Sequence, residues 1–195
     1  MRSIFECIIN EHYVTCLNDN EMETCLDQVW DILEKSYSYI GGLAGLSKDN
    51  IIEESDIWKL VRRGKNITAV QIYTTKRGGR KACYGGCDGT DQGKKDLAKI
   101  VQEDAKMTDR DVWAEVSGKA LKFYLSNGHY PVPNTAATEI LKDKVFNELK
   151  PDGFFYVREI GGELHTKVLV SKTRGIEASD EVIAELLRLN RIYNG

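Results

Sequence analysis

The hydrophobic period of the chain changes near residue 56, and that change limits the fold more than any other feature. "DIWKLVRRG", "NITAVQIYTT" and "RKACYGGC" are β-rich segments separated by Gly64-Lys65-Asn66 and Arg77-Gly78-Gly79, both hairpin signals. Three such segments make an antiparallel meander. "GTDQGKKDLAKIVQEDAK" then switches to a helical period, with Leu97, Ile100 and Val101 facing inward. "DVWAEVSG" switches back to a strand. A helix crossing between two strands delivers the second parallel to the first. The expected class is therefore α+β, layered α/β/α, with a mixed and mostly antiparallel central sheet holding one parallel pair.

The flanking segments fill in around this. Residues 3–9 and 12–17 alternate as a strand, or as a hairpin about Asn10-Glu11. Asp19 or Asn20 can cap a helix over about 21–36, whose face carries Met22, Leu26, Val29 and Leu33. "YIGGLAGLSKDN" reads as a flexible loop leading to a short helix near 48–54. Beyond "YPVPN" the pattern predicts a short helix over 135–143 and a hairpin about Gly161-Gly162. A last helix over about 179–193, capped by Ser179 or Asp180, carries Val182, Ile183, Leu186 and Leu187. The 195 residues are expected to form one domain, with its core at about residues 20–170.

Totals exclude several functions. A net charge of -3 does not favour a general nucleic-acid or membrane-surface binder. The basic residues gather only locally, at Arg62-Arg63, in "KRGGRK" and at Lys94-Lys95. No apolar run approaches the roughly 20 residues of a membrane span, and the first residues lack a signal-peptide pattern, so a cytoplasmic protein is expected. Cys7, Cys16, Cys25, Cys83 and Cys87 are irregularly spaced, and His12, His129 and His165 are scattered, so no metal site is expected. Cys83 and Cys87 read either as small strand residues or as nucleophiles activated by a neighbouring charge; the first fits how cysteine packs.

Two stretches could carry chemistry. "GGCDGTDQGKK", residues 85–95, joins a strand to a helix. Its glycines allow sharp turns, a helix start presents N–H groups, and Lys94-Lys95 add charge, which together suit a phosphate or pyrophosphate. It lacks the Gly-Lys-Ser/Thr ending of a P-loop and the G-x-G-x-x-G fingerprint, and an ordinary turn, with Asp88 and Asp91 repelling anions, reads equally from the residues. In "WAEVSGKALKFYLSNGHYPVP", residues 113–133, Glu115 and Ser117 share one strand face and Tyr124 follows on a helix ended by Asn127-Gly128. Ser117 can be a helix cap, Tyr124 an amphipathic aromatic and Glu115 a solvated strand residue; together they can also be a reaction site.

"V-S-x-x-A-x-x-F-Y-x-x-x-G-H-Y" in that stretch resembles the strand–helix–strand signature of the GNAT acyltransferase superfamily. Ala120, Tyr124 and Gly128 match at the family's spacing, while Ser117 stands where an Asn is usual and His129 where a Phe is usual. The strand, glycine-rich turn and helix over 80–106 resemble the family's acetyl-CoA loop in position, and the likeness covers roughly residues 20–170. "TDQGKK" departs from the family loop: it keeps one glycine, has Gln92 out of register and puts Lys95 where a small residue is usual. "YIGGLAG", "WKLVRRGKNITAVQIY", "AEVSG" and "PVPN" resemble, more narrowly, bacteriophage proteins described as acyltransferase-like.

The resemblance implies a splayed parallel strand pair with acetyl-CoA in the crevice between the strands ending near Cys87 and Ser117. The main chain at Gly89, Thr90, Asp91, Gln92, Gly93, Lys94 and Lys95 would hold the pyrophosphate, and Ser117 the pantetheine arm. A backbone N–H near Tyr84 or Gly85, close to Cys87, would polarise the acetyl carbonyl. Tyr124 would protonate the departing thiolate, and Glu115 would take the proton of an amine acceptor, directly or through water. The acceptor would enter past the 37–49 loop and the 161–162 hairpin. The function so implied is transfer of acetyl from acetyl-CoA to an amine, on a protein or a small molecule, in a phage-infected cell. The alternative is a non-catalytic phage protein that binds a host or virion protein. An edge strand near the C-terminal hairpin leaves room for a homodimer.

Overall fold

A computed structural model describes residues 13–16, 18–38, 43, 46–76, 79–107, 111–141, 148–149, 153–160 and 162–194. The strand expected over 3–9 and most of the 37–49 loop lie outside the described residues. The chain, expected as one domain, falls into two compact units: residues 1–75 with 83–100, and residues 76–82 with 101–195. One strand and one helix run through both.

The first unit contains β1 (Tyr13–Cys16), α1 (Asp19–Glu23), α2 (Leu26–Tyr37), β2 (Ile57–Arg63) and β3 (Asn66–Lys76). Residues 83–87 of β4 (Gly79–Cys87) and 91–100 of α3 (Asp91–Lys106) complete it. β1 pairs antiparallel with β2, and β2 with β3, as the hairpin signal at Gly64 predicts. The expected helix over 21–36 is broken at Thr24-Cys25, where the Thr24 hydroxyl donates to the Glu21 carbonyl and competes with the helical ladder. Met22, Val29 and Leu33 still point inward, onto Trp58, Leu60, Val70 and Ile72. The short helix expected near 48–54 is a run of hydrogen-bonded turns instead. Asn50 accepts from both the N–H and the hydroxyl of Ser47 at 2.6 Å, and such local bonds divert the backbone from a helix.

The second unit opens with residues 79–82 of β4, which pair parallel with β5 (Asp111–Val116), from Gly79 opposite Asp111 to Ala82 opposite Ala114. β5 pairs antiparallel with β9 (Glu163–Ser171), β9 with β8 (Phe155–Ile160), and β8 with β7 (Glu148–Leu149). β6 (Tyr130–Pro131) pairs with the end of β9. α4 (Lys119–Ser126), α5 (Asn134–Ile140) and α6 (Asp180–Asn194) complete the unit. Trp113, Val132, Ala137, Ile140, Leu141, Tyr156 and Leu169 form a core cluster. Among the described strands β4 and β5 form a parallel ladder and the other ladders are antiparallel, so the expected α+β class with a mixed, mostly antiparallel sheet is observed. That ladder ends at Ala82 and Ala114, while β4 continues to Cys87 and β5 to Val116. No described helix is long and apolar enough to cross a membrane, and no group of His, Cys, Asp or Glu among the described residues could hold a metal ion.

Candidate active-site residues

β5 does not present Glu115 to water. Its side chain is only 4% exposed, because β5 is covered on both faces and the β8–β9 hairpin lies alongside. Arg158 Nη1 donates to both carboxylate oxygens at 2.8 Å, the Tyr156 hydroxyl donates to Oε2 at 3.1 Å, and Lys81 Nζ lies 2.9 Å from Oε1. A carboxylate has about four lone-pair positions, and these contacts use them all. The expectation of Glu115 as a solvated strand residue is thus overturned. Its surroundings are also poor for a general base, which needs a lone pair open to the proton it takes. Burial pushes the Tyr156 hydroxyl well above its ordinary value, and the neighbouring Glu115 charge adds to this.

Ser117 does not cap the next helix. The N-cap of α4 is Gly118, at φ 56° and ψ -134°, a conformation open to glycine and strained for other residues, and no side chain caps the helix. The Ser117 hydroxyl accepts instead from Lys167 Nζ at 3.4 Å. Burial is the main cause that lowers the Lys167 amine below its ordinary value; Arg158 and Lys81 add to the shift and Glu115 opposes it. Lys81, Tyr156, Arg158 and Lys167 were not singled out by the sequence. "FYVREI" and "ELHTKVLVS" were read as a hairpin, but which of their residues meet Glu115 depends on the register of β9 against β5.

Tyr124 is buried in α4, edge-on to Phe123 and to His129 at centroid distances of 5.8 and 5.2 Å. α4 ends as "SNG" predicts. Gly128 takes φ 87°, and the N–H groups of Asn127 and His129 both donate to the Tyr124 carbonyl, a Schellman closure. That closure carries His129 inward to 1% exposure, and neither ring nitrogen has a hydrogen-bond partner among the described residues. Burial lowers its pKa, against the opposing charge of Asp104.

The turn at 88–95 is built in the first unit. Asp88 Oδ1 accepts from the Thr90 N–H at 2.9 Å and the Thr90 hydroxyl at 2.7 Å, and the Thr90 hydroxyl accepts from the Gly93 N–H at 2.9 Å. Thr90 is therefore the N-cap of α3, and Asp88 is spent on the turn. Lys94 N–H bonds Thr90 O, which leaves the Asp91 and Gln92 N–H groups without an intrahelical partner. Gly93 is buried: a Cβ there would strike Asp88 Oδ1 and come within 2.8 Å of the Thr68 carbonyl. Gly89 takes φ 88°. Lys94 and Asp91 form an exposed pair at 3.0 Å that raises the lysine and lowers the carboxylate, and Lys95 is exposed. Gln92 turns inward to Asp96 at 2.9 Å.

α2 claims the adjoining main chain of β4. The Gly85 N–H donates to the Tyr37 hydroxyl at 3.2 Å, the Cys87 N–H to Ser36 Oγ at 3.3 Å, and Lys35 Nζ to the Asp88 carbonyl at 2.7 Å. The expectation that Gly85 would polarise a carbonyl is corrected by this: its donor is already engaged. Tyr84 sits edge-on to Tyr37 with centroids 6.1 Å apart, and its carbonyl accepts from Gln71 Nε2 at 3.0 Å. Cys87 packs against Val61, Ala69 and Ile100, and Cys83 contacts Thr74 Oγ1 at 3.2 Å.

The sequence matches no family model and no curated protein. Among solved structures the chain is similar to the ribosomal-protein-S18-alanine N-acetyltransferase of Escherichia coli, at 13% identity and a TM-score of 0.49 over 86% of this chain and 97% of that one. It is also similar to an acetyltransferase of Salmonella typhimurium with acetyl-CoA, at 9% identity and a TM-score of 0.47 over 86% of this chain and 96% of that one. A third is a Bacillus subtilis acetyltransferase in complex with CoA, at 11% identity and a TM-score of 0.44 over 82% of this chain and 95% of that one.

Proposed function

We propose that the protein is an acyltransferase that moves an acetyl group from acetyl-CoA to an amine. The observation that carries this reading is the segment from β5 to β6. The stretch that resembles the GNAT signature folds as a strand ending at Val116, then Ser117, then a helix carrying Tyr124 and closed at Gly128.

Acetyl-CoA supplies a thioester that an amine can attack. In the first unit the unpartnered Asp91 and Gln92 N–H groups, with Lys94 and Lys95 beside them, suit its pyrophosphate. Asp88 opposes this less than its charge suggests, because one of its oxygens is turned onto Thr90. In the second unit Ser117 takes the pantetheine arm and Tyr124 gives a proton to the departing sulfur. Glu115 orders Lys81 and Arg158 instead of accepting the amine proton, which leaves to solvent.

The engagement of the Gly85 and Cys87 N–H groups by α2 favours a second reading, a non-catalytic phage protein on this fold that binds a host or virion protein. One titration separates the two. Acetyl-CoA is followed by calorimetry into the wild type and a Lys94→Glu/Lys95→Glu variant. Micromolar binding that weakens at least tenfold in the variant is the expected result, with Tyr124→Phe then lowering turnover while binding persists. No heat at millimolar acetyl-CoA would overturn the enzyme and leave the binding protein.

A further inference from the structure

The cluster around Glu115 places Arg158 and Lys167, beside the Lys81–Glu115 pair, about one carboxylate among the described residues. Tyr156 beside them is neutral, and His165 stands opposite Arg158 in the β8–β9 register. The Lys81 and Arg158 side chains are only 19% and 22% exposed, and Lys167 is half-buried. Withdrawing a charge from water is costly unless an opposite charge accompanies it. The donors are as unbalanced as the charges. Arg158 uses Nη1 alone on Glu115, and its Nε and Nη2 donate to no described residue. Among the described residues Lys167 Nζ has Ser117 Oγ as its one hydrogen-bond partner, leaving the rest of its donor capacity open there. A planar Nε/Nη2 edge next to an ammonium is a fork for a planar anion.

Resting on the acyltransferase reading, we propose that Arg158 and Lys167 bind a carboxylate of the acyl acceptor. The acceptor is then an amine that also bears a carboxylate, and polycationic amines such as polyamines are repelled. The bound anion adds countercharge to the cluster and so favours the charged form of Lys167. Glu115 and Tyr156 keep their places, since Glu115 accepts from Arg158 Nη1 and Tyr156 donates to Glu115, away from the Nε/Nη2 edge.

The test follows the Lys167 side chain by NMR in protein carrying carbon-13 lysine, its signal assigned by its loss in Lys167→Met. Succinate and inorganic phosphate are titrated separately, without acetyl-CoA. Succinate is expected to raise the Lys167 midpoint by about one pH unit, the shift an opposite charge at contact brings. Arg158→Gln should weaken succinate at least tenfold, and Lys167→Met, which leaves the Arg158–Glu115 pair intact, should weaken it severalfold. A midpoint moved by phosphate and not by succinate overturns the carboxylate; one moved by neither overturns the site. With acetyl-CoA added, amino acids should be acetylated and their carboxamides ignored. Equal turnover of both overturns the acceptor class. Succinate binding with no amine ever acetylated overturns the acyltransferase and leaves the anion site standing.

Discussion

Asp96 in the first unit and Glu115 in the second are each buried against an arginine and a hydroxyl, and the two clusters are balanced differently. In the first, Arg63 Nε and Nη2 grip both oxygens of Asp96 at 2.8 and 2.7 Å, with Thr68 Oγ1 at 2.7 Å and Gln92 Nε2 at 2.9 Å. Its charges cancel, and the bidentate grip with added hydrogen bonds holds the Asp96 carboxyl below the usual carboxylate range. In the second, Glu115 has one nitrogen of Arg158 and two lysines nearby, and charge is left over. A cluster that closes on itself is scaffold. One that leaves donors and charge unspent is built around something else.

Three substitutions would break or sharpen that contrast. Asp96→Asn should have the largest effect, costing about 2–3 kcal/mol in urea unfolding, the upper range for hydrogen bonds to a charged group, because the Arg63 it leaves is 32% exposed. The wild type should also lose stability in acid. A carboxyl held below its unfolded value contributes in full above that value, near pH 4, and its contribution fades as pH falls further. A loss under about 1 kcal/mol, the size of an exposed pair, would show that the Asp96 cluster is not scaffold.

His129→Phe comes next. The imidazole is buried and neither nitrogen has a partner of good geometry among the described residues, so phenylalanine should raise stability by about 1 kcal/mol, the low end of the cost of a buried unsatisfied polar group. Below about pH 6.5, where the unfolded chain binds the proton that His129 resists, wild-type stability should decline and the variant should be spared part of that decline. Parallel curves for the two proteins would mean that His129 does bind a proton in the folded state.

The smallest effect belongs to Lys167→Met. An amine lowered by burial destabilises the fold below its folded value, and that cost is relieved as pH rises toward the unfolded value near 10.4. The wild type should therefore gain on the variant between neutral and alkaline pH, by less than about 1 kcal/mol because Lys167 keeps some contact with water. Identical slopes in guanidinium unfolding from pH 7 to 10 would place a countercharge of the protein's own beside Lys167 and weaken the contrast.

The elements were legible wherever local period decided them: the meander of β2 to β4, α3, β5 followed by α4, the closure at Gly128 and the β8–β9 hairpin. Misses fell where side chains compete for backbone groups, at Thr24 and over 47–54, which periodicity does not register. The site was half legible. Glu115, Ser117 and Tyr124 could be picked out by spacing along one strand and helix. Arg158 and Lys167 could not, because they reach Glu115 and Ser117 across 43 and 50 residues of sequence and through a strand register. Gly93 was expected to offer its main chain to a pyrophosphate; its N–H donates to Thr90 Oγ1, and its missing side chain leaves room for the Thr68 carbonyl and Asp88.

The ties from α2 to β4 also bear on how the protein behaves in a crowded solution. The ladder with β5 ends at Ala82, and unpaired amides on an extended strand invite pairing with another chain. Tyr37 and Ser36 occupy those of Gly85 and Cys87 with hydroxyls, which accept the bond but cannot propagate a ladder. The same two side chains thus act as guards against edge-to-edge aggregation, and a variant lacking both hydroxyls should stay folded longer than it stays soluble.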